Sequence, residues 1–506
     1  MNELSKIFSA KQVKEADRFT VQHEPVVSID LMERAALKCV EWICQHFGKK
    51  NQYKIFCGPG NNGGDGLAIA RLLILSGFDV QVFALRTIEK YSKDFLANEQ
   101  RLKQTHQNVF FDVRLLADLP FINKNDIIID ALFGTGLSKP VSGLPADCIN
   151  RINSSGAMVI AVDIPSGLFA DIHSGGTSVI IKAAHTLSFQ FPKLAFFFPE
   201  NAVYVGDWQV LNIGLSETFI CNEPVSNYQL TSDLVKSLLK PRKKFSHKGT
   251  FGHALLIAGS YGKMGAAVLA SQSCLRSGVG LLTIHTPKCG YEILQSTTPE
   301  AMVSVDDNDL FMQNDIRLNE FSAAGIGPGI GMNEHTQKAL HFLLANSVKP
   351  LVLDADALNI IGLHTDWLSV IPANSILTPH PKEFERIAGK AANDFERQQI
   401  QLEFSKKYNL FIILKGAHTC ITTPSGDSYF NTTGNPGMAK GGSGDVLTGL
   451  LTGILAQGHH SFEAGIIAVY VHGLAGDIAK QKLGEVGMTV SDLIQCLPKA
   501  FLSITA

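Results

Sequence analysis

The apolar positions of the first half of the chain follow two periods. Between residues 28 and 48 they recur at helical spacing, as at Met32, Ala36 and Val40, and Asp30 with Glu33 provides a candidate cap. Short apolar runs bounded by turn residues predict strands at 53–57, 79–85, 126–132, 159–163 and 186–191, and a further helix is predicted at 67–76. Strands that alternate with helices predict an α/β fold with a parallel, doubly wound sheet.

The second half repeats this alternation with its own set of elements. Strands are predicted at 252–258 and 281–286, and strands that run into turn residues are predicted within 323–331, 351–356, 376–381 and 411–416. A helix of small residues is predicted at 265–277. The stretch between the two halves, 217–226, is more polar and contains Pro224. We therefore predict two α/β domains, at residues 1–222 and 228–506.

Composition agrees with a large globular protein. The chain has 506 residues, 45% of them hydrophobic and 18% charged, with a net charge of −2. That charge gives no reason to expect a nucleic-acid partner, and we see neither a secretory h-region nor an apolar run of membrane-span length. The nine cysteines form no C-x-x-C pair, so neither a disulfide framework nor a zinc site is expected. We predict a cytoplasmic protein without a membrane partner.

Polar residues follow the predicted strands of the first half. The loop 58–66 contains G-x-G-x-x-G, but its Asn61, Asn62 and Asp65 are a poor lining for a pyrophosphate. Asp130 and Ser166 end two later strands, so Asn62, Asp130 and Ser166 together offer oxygen atoms to a cation. Each of them alone is more simply a cap or turn residue. Lys193 stands alone after a strand, and we interpret it as a surface residue.

In the second half, residues 435–450 combine a short loop that holds four glycines, one carboxylate and then an apolar helical run. Glycine backbone and a helix start favour an anion, most often phosphate. Asp445 is then either a helix N-cap or a base beside that phosphate. Strand ends at 327–331, 354–356, 378–381 and 415–416 would complete a crevice. The basic segment 241–249 is either a solvated face or a contact for phosphates, and no P-loop motif is present.

The motifs taken together resemble one family. They are Asn61-Asn-Gly-Gly-Asp65, Asp130 with Phe133-Gly-Thr-Gly136, Asp163-Ile-Pro-Ser-Gly167, Gly327-Pro-Gly-Ile-Gly331, Thr378-Pro-His-Pro381, Lys415-Gly-Ala-His-Thr419, Asn435-Pro-Gly-Met438 and Gly441-Gly-Ser-Gly-Asp445. In this order they are similar to the bifunctional NAD(P)H-hydrate repair enzymes, from about residue 8 to the C-terminus. The resemblance implies a Rossmann-like three-layer α/β epimerase domain, followed by a ribokinase-like α/β domain that is an ADP-dependent NAD(P)H-hydrate dehydratase.

For the epimerase half the resemblance implies a hydrate site, a catalytic residue and a potassium site. Asp163 would be the proton-moving residue, and K⁺ would bind Asn62, Asp130 and Ser166. The residues implied to hold the hydrate are Asn61, Asn62, Gly63, Gly64, Asp65, Gly134, Thr135, Gly136, Leu137, Ser138, Lys139, Pro140 and Asp163.

For the dehydratase half it implies a second hydrate site with Asp445 as the base, and an ADP site used with Mg²⁺. The hydrate would meet Ala267, Gly329, His380 and Asp445. ADP would meet Lys415, Gly416, Ala417, His418, Thr419, Asn435, Pro436, Gly437, Met438, Ala439, Lys440, Gly441, Gly442, Ser443 and Gly444. Lys382 and Lys440 depart from the residues expected there, and we predict that both add positive charge near the nucleotide.

This chemistry is consistent with the residues. The hydroxyl on a hydrated nicotinamide ring is a poor leaving group, and phosphoryl transfer to it makes it a good one. That step requires a base near the hydroxyl and backbone N–H donors around the moving phosphoryl group. Two alternatives stay open. The second half could be a ribokinase-type small-molecule kinase, and the first a non-catalytic nucleotide-binding module. The expected partners are the hydrates NADHX and NADPHX and ADP, in a homo-oligomer; the preference between ADP and ATP, and between the two hydrates, is left open.

Overall fold

The computed structural model describes residues 5–24, 26–87 and 89–505. Residues 1–4 and 506, the outer ends of the two predicted domains, lie outside this part. Contacts divide the chain into two compact units, one comprising Lys6–Val225 with Asn393–Phe395, the other comprising Met1–Ser5, Ser226–Ala392 and Glu396–Ala506. We call them the first and the second unit.

The strands form two sheets. The first unit has a seven-stranded parallel sheet in the order β4-β3-β2-β5-β6-β7-β8. The other sheet has the order β1-β9-β18-β17-β16-β15-β14-β13-β10-β11-β12 and is parallel from β16 to β12. The strands are β1 (Ser5–Lys6), β2 (Gln52–Cys57), β3 (Asp79–Leu85), β4 (Phe110–Val113), β5 (Ile127–Ala131), β6 (Met158–Val162), β7 (His185–Phe189), β8 (Asp207–Leu211), β9 (Asn227–Gln229), β10 (His253–Ile257), β11 (Leu281–Thr286), β12 (Met302–Val305), β13 (Ala323–Ile326), β14 (Leu351–Leu353), β15 (Ile376–Leu377), β16 (Phe411–Leu414), β17 (Cys420–Thr422) and β18 (Ser428–Phe430).

Helices alternate with these strands, as the periodicity predicts for an α/β fold. They are α1 (Ala10–His23), α2 (Ser28–His46), α3 (Asn61–Leu75), α4 (Lys93–His106), α5 (Leu144–Ser154), α6 (Ala202–Val205), α7 (Glu217–Asn222), α8 (Ser232–Leu238), α9 (Met264–Arg276), α10 (Tyr291–Thr297), α11 (Glu334–Asn346), α12 (Ala355–Leu363), α13 (Pro381–Ala388), α14 (Asp394–Tyr408), α15 (Ser443–Ala456), α16 (Ser461–Gly487) and α17 (Val490–Thr505). The predicted α/β class is confirmed. The predicted polar linker at 217–226 was partly wrong, because α7 occupies its first six residues.

Helix α3 differs most from its prediction, because it begins at Asn61 and not at residue 67. The glycine loop is thus the first turns of the helix. A Cβ on Gly63 would lie 1.8 Å from the carbonyl oxygen of Gly58, and one on Gly66 would lie 2.6 Å from the Ala131 side chain. Close packing of this helix on the sheet therefore requires glycine, which outweighs its low helix propensity. The cap predicted for α2 is wrong, since Val27 precedes that helix without a side-chain cap.

Helix α16 is long and apolar enough to cross a membrane by length and composition, contrary to the expectation that no run reaches that length. Its most apolar window is 67% buried inside the protein. It packs against α15 and α17, and Ile466, Ile467 and Val471 are fully buried in the core. These contacts are those of a core helix.

Candidate functional sites

The first unit has a cavity of about 450 Å³ beside the carboxyl ends of its parallel strands. Helices α1 and α2, the starts of α3 and α4, the end of β7 and the segments after β5, β6 and β8 form its walls. The lining residues that carry chemistry are Lys14, Asp17, Arg18, Asn61, Asn62, Asp65, Asp94, Gly134 and Asp163. The structure thus brings predicted residues from three separate motifs to one cavity. The remainder of the loop 134–140 is not part of its lining.

Asp163 forms an ion pair with a buried lysine. Its Oδ1 lies 2.8 Å from Nζ of Lys193, which is fully buried. The interpretation of Lys193 as a surface residue is therefore wrong. The same ammonium donates to Ser188 Oγ at 2.9 Å and to the carbonyl oxygen of Phe191 at 3.1 Å. Asp163 also has a left-handed backbone with φ of 67°, which is costly for a non-glycine residue and places its carboxylate towards the lysine.

Two further carboxylates face the cavity. Burial, and then the Asp163 carboxylate, raise the pKa of Asp17 to about 6, although Lys193 opposes this shift. Burial and the carboxylates of Asp163, Asp17 and Asp94 raise the pKa of Asp65 well above its usual value. Sequence reasoning missed Asp17, because a single acid in an amphipathic helix carries no distinguishing signal.

Asp130 and Ser166 meet in the cluster predicted for potassium. The Asp130 carboxylate is fully buried and accepts hydrogen bonds from the Ser166 hydroxyl at 2.6 Å and the Ser166 N–H at 2.8 Å. Burial raises its pKa to about 6, against the effect of these hydrogen bonds. Within the described ranges it has no cationic partner. Asn62 is also buried, its Nδ2 has no hydrogen-bond partner, and its side chain lies beside Gly134.

Asp445 of the second unit lies in the first turn of α15, and the N-cap of that helix is Gly442. The interpretation of Asp445 as the N-cap is therefore wrong. Burial, and then the carboxylate of Asp354, raise the pKa of Asp445 to about 6, while Lys415 opposes the shift. A carboxylate with such a pKa can exchange protons near neutral pH.

Lys415 and Asp354 form an ion pair beside Asp445. Lys415 Nζ lies 2.7 Å from Oδ1 of Asp354 and 3.8 Å from Oε2 of Glu383. Oδ2 of Asp354 accepts a hydrogen bond from Thr448 on α15 at 2.6 Å. Although burial lowers it, the carboxylates of Asp354 and Glu383 hold the pKa of Lys415 above its usual value. A Cβ on Gly444 would lie 3.3 Å from that ammonium, so the glycine loop and the ion pair are adjacent.

A second ion pair connects this cluster to the predicted hydrate site. Lys263, just before α9, lies 3.0 Å from Oδ2 of Asp356, which also accepts the Gly331 N–H at 2.9 Å. Gly329 has a φ of 66°, and a Cβ there would lie 2.9 Å from the carbonyl oxygen of Lys263. Ala267, on α9, is fully buried.

His380 caps the start of helix α13. Its Nδ1 accepts hydrogen bonds from the N–H groups of Lys382 and Glu383 and caps α13, while Glu383 Oε2 accepts the His380 N–H at 2.8 Å. The side chain remains 45% exposed, and its other nitrogen, Nε2, lies 3.4 Å from Oε1 of Glu383. Lys382 itself is exposed.

The predicted nucleotide loop ends at the start of helix α15. Among the described residues, the backbone N–H groups of Gly444 and Asp445 have no hydrogen-bond partner. Gly442 has a φ of 96°, and a Cβ there would lie 2.5 Å from Leu269. The helix dipole adds partial positive charge at the same place. This arrangement suits a phosphate group.

Several other residues predicted to bind ADP form hydrogen bonds within the segments around the start of α15. Asn435 donates to Asp477 at 2.9 Å and accepts the Gly437 N–H at 3.0 Å. Thr419 and Gly416 hydrogen-bond to each other in the turn after β16. Lys440 donates to the carbonyl oxygens of Val486 and Met488, which reduces the positive charge that it can present to a nucleotide.

The basic segment 241–249 lines a different cavity. Lys240, Arg242, Lys243 and Arg276 surround about 540 Å³ of space together with apolar side chains. Arg242 packs its guanidinium 4.0 Å from the ring centre of Phe251. None of the residues lining this cavity belongs to the cluster around Asp445.

Comparison with known proteins assigns the chain to a family. Family models match residues 254–499, described as NAD(P)H-hydrate dehydratase, and residues 28–195, described as YjeF-related protein N-terminus. The bifunctional NAD(P)H-hydrate repair enzyme of Moorella thermoacetica is 35% identical over 97% of this chain and 96% of its own length. The chain belongs to this family of bifunctional NAD(P)H-hydrate repair enzymes. The predicted resemblance and the predicted two enzyme activities are confirmed.

Two further proteins are similar to this chain. The Escherichia coli repair enzyme is 29% identical over 97% of this chain and 93% of its own length. The crystal structure of the ADP/ATP-dependent NAD(P)H-hydrate dehydratase from Bacillus subtilis, co-crystallised with ATP and Mg²⁺, is 33% identical, covers 54% of this chain and 97% of its own, and has a TM-score of 0.47.

Proposed function

We propose that the first unit interconverts the R and S hydrates of NADH and NADPH, and that the second unit dehydrates the S hydrate with ADP. The observation that carries the proposal is the cluster around Asp445, where an accessible carboxylate of raised pKa lies beside two unpaired N–H groups and Lys415. The test supplies hydrated NADH and ADP or ATP to the protein and follows recovery of the absorbance of the reduced nicotinamide. Absence of recovery with either nucleotide would contradict it.

In the second unit, each group has a task in the proposed reaction. Asp445 takes the proton of the ring hydroxyl, whose oxygen then attacks the terminal phosphorus of the nucleotide. The N–H groups of Gly444 and Asp445 and the Lys415 ammonium stabilise the negative charge of the moving phosphoryl group. AMP is the leaving group when ADP is the donor. Loss of the resulting phosphate from one ring carbon, together with a proton from the neighbouring carbon, re-forms the double bond of the dihydronicotinamide ring.

Mg²⁺ enters this proposal with the nucleotide. The described residues contain no group of three or more His, Cys, Asp or Glu side chains that could hold a metal. Mg²⁺ commonly binds through substrate phosphates with only one or two carboxylates, so the ion would arrive on the phosphates of ADP. Its contribution when bound is to neutralise phosphate charge. The chain supplies the backbone donors and Lys415.

In the first unit, the cluster of Asn62, Asp130 and Ser166 suits K⁺. A fully buried carboxylate without a cationic partner is costly, and a monovalent cation would compensate its charge. The other donors, an amide and a hydroxyl, are hard oxygen ligands. The ion would neutralise Asp130 and fix the start of α3 against the segment after β6.

We expect Asp130→Asn to lose the potassium dependence of epimerisation. Asparagine keeps an oxygen for the N–H groups of Ser166 and Leu132 but removes the charge that the ion compensates. Epimerisation should be measured in potassium and in sodium buffers, with thermal unfolding as the control for folding. An Asp130→Asn protein with unchanged rate and unchanged response to potassium would contradict the assignment.

The two activities should be separable. The predicted fragments 1–222 and 228–506 omit residues that each unit uses, since Lys6 donates to the Glu223 carbonyl oxygen at 2.6 Å and Asn227 accepts from Gln398 at 2.7 Å. We expect fragments 1–225 and 226–506 to epimerise without nucleotide and to dehydrate with ADP, respectively, and to unfold at higher temperature than 1–222 and 228–506. Insoluble or inactive fragments of both lengths would contradict independent units.

The sequence also left a ribokinase-type kinase open for the second unit, because its glycine loop suits either reaction, but the family match supports the dehydratase. Analysis of the product separates the two, since a kinase leaves a stable phosphoester. A cytoplasmic location, a homo-oligomer and the absence of nucleic-acid or membrane partners remain predictions; light scattering of the purified protein measures the oligomeric state.

A further inference from the structure

The cavity of the first unit contains carboxylates that the protein itself does not pair. Asp163 has Lys193, and Asp94 accepts a hydrogen bond from Ser28 at 2.6 Å. In the part of the chain that the structure describes, Asp17 and Asp65 have neither a hydrogen bond nor an ion pair. Carboxylates enclosed in a cavity without partners are costly, and they occur mainly where a ligand or a reaction uses them.

Asp17 differs from Asp65 in access and in acidity. Asp17 is half-buried on α1 and open to the cavity, whereas Asp65 is only 9% exposed within α3. Burial raises the pKa of Asp17 to about 6, and it also raises the pKa of the more deeply buried Asp65 well above its usual value. A group that gives and takes back a proton near neutral pH needs an intermediate pKa and contact with the ligand. Asp17 meets both conditions.

Asp17 and Asp163 differ in the charged groups that surround their carboxylates. The charged groups that line the cavity or lie behind it are Lys14, Arg18, Asp65, Asp94, Asp163 and Lys193. Among the carboxylates of this set that the structure describes, Asp163 alone forms an ion pair with the buried lysine, at 2.8 Å. Two carboxylates in one site with different environments form an acid and base pair.

We propose that Asp17 is a second catalytic residue of the epimerisation, giving a proton to the ring nitrogen while Asp163 takes the proton of the hydroxyl. This inference rests on the epimerase function proposed above for the first unit. The two groups come from different walls of the cavity, Asp17 from helix α1 and Asp163 from the end of β6.

The chemistry of the hydrate requires both partners. Water adds to the enamine of a dihydronicotinamide with its hydroxyl on the carbon next to nitrogen, so the product is a hemiaminal. Asp163 removes the hydroxyl proton, the O–H electron pair forms a C=O bond, and the C–N bond breaks. Its electron pair stays on nitrogen, which receives the proton of Asp17. After rotation about the neighbouring C–C bond, nitrogen attacks the other face of the carbonyl carbon and both protons return.

The sign of the pH dependence follows from these roles. Asp17 donates only when protonated, so kcat/KM for epimerisation should fall as pH rises above about 6. In Asp17→Asn we expect epimerisation to fall at least about 10²-fold and this alkaline decrease to disappear. Asp17→Glu keeps a carboxyl group and should retain part of the rate together with the decrease. The full chain is assayed without nucleotide, following both hydrates by chromatography.

The matched control is Glu15→Gln, which removes one charge from the same helix outside the cavity lining and should leave rate and pH profile unchanged. Dehydration of the S hydrate by the same proteins reports intact folding. An Asp17→Asn protein with a normal rate, or with a slow rate and an unchanged alkaline decrease, would overturn the inference. So would loss of that decrease in Asp65→Asn in place of Asp17→Asn. A wild-type chain that does not epimerise would overturn the proposed epimerase function, and this inference with it.

Discussion

Dehydration of the S hydrate should fall at least about 10²-fold in Asp445→Asn, while epimerisation by the same chain stays unchanged. Asparagine keeps the size of the side chain and one oxygen but accepts no proton at neutral pH. Since the pKa of Asp445 is about 6, wild-type dehydration should rise with pH up to that value and then level off. The variant should lack this rise.

The same substitution should not weaken the fold. The pKa of Asp445 is raised in the folded chain from 3.8 to about 6, so the folded state binds more protons between these values and loses stability as pH rises through them. Above pH 6, asparagine removes a charge that the fold disfavours. We therefore expect an unchanged or slightly higher unfolding temperature at pH 7. ADP should still bind, because the N–H groups of Gly444 and Asp445 remain, and calorimetry measures that affinity.

Asp233→Asn is the control for the general effect of an acid in a first helical turn. Asp233 lies exposed in the first turn of α8, and there the helix dipole contributes about 0.3–1 kcal/mol. This variant should dehydrate normally. Near wild-type dehydration by Asp445→Asn would exclude the carboxylate as the base.

Sequence patterns predicted the fold well where a residue pattern is typical of only one kind of secondary structure. Short β-branched runs between turn residues are typical of parallel strands, and β3 and β11 have the predicted bounds. The start of α3 could not be predicted, because glycines normally end helices. At Gly63 and Gly66 the contacts with Gly58 and Ala131, which lie elsewhere in the chain, decide the conformation.

The residues of the candidate sites could also be predicted only in part from the sequence. Motif residues such as Asp163 and Asp445 could be singled out, since they follow strands or glycine loops. Asp354 was noted only as one of two acids after a strand, although it pairs with Lys415 and Thr448. Lys193 has no motif of its own, and its ion-pair partner Asp163 lies on a different, distant segment of the chain. Such partners are visible only when the chain is folded.

Lys193→Met should lower the free energy of unfolding of the first unit by about 3–5 kcal/mol, because it leaves a largely buried carboxylate without its cation. Lys193 also donates to Ser188 and to two carbonyl oxygens, and those acceptors lose their donor too. Epimerisation by the folded fraction should be nearly abolished, since the Asp163 carboxylate would lose the ion pair that holds it in position. Denaturant unfolding of the 1–225 fragment measures the first effect.

Lys54→Met is the control that separates a structural from a functional role of Lys193. Lys54 and Asp126 form another buried ion pair of the same unit, with Nζ 2.6 Å from Oδ2 and less than a tenth of either side chain exposed. Neither residue lines the cavity. This variant should lose similar stability yet epimerise at the wild-type rate when folded. Equal loss of activity in both variants would show that Lys193 acts only through stability.

Combining Lys193→Met with Asp163→Asn completes the test. If the cost of Lys193→Met is an uncompensated charge on Asp163, removing that charge should restore part of the lost stability, and the two substitutions should not be additive. Activity should stay absent in the double variant, because asparagine accepts no proton. Stability that recovers without activity would identify Lys193 as the residue that keeps Asp163 charged and in place, whereas additive losses would mean that the two side chains contribute independently.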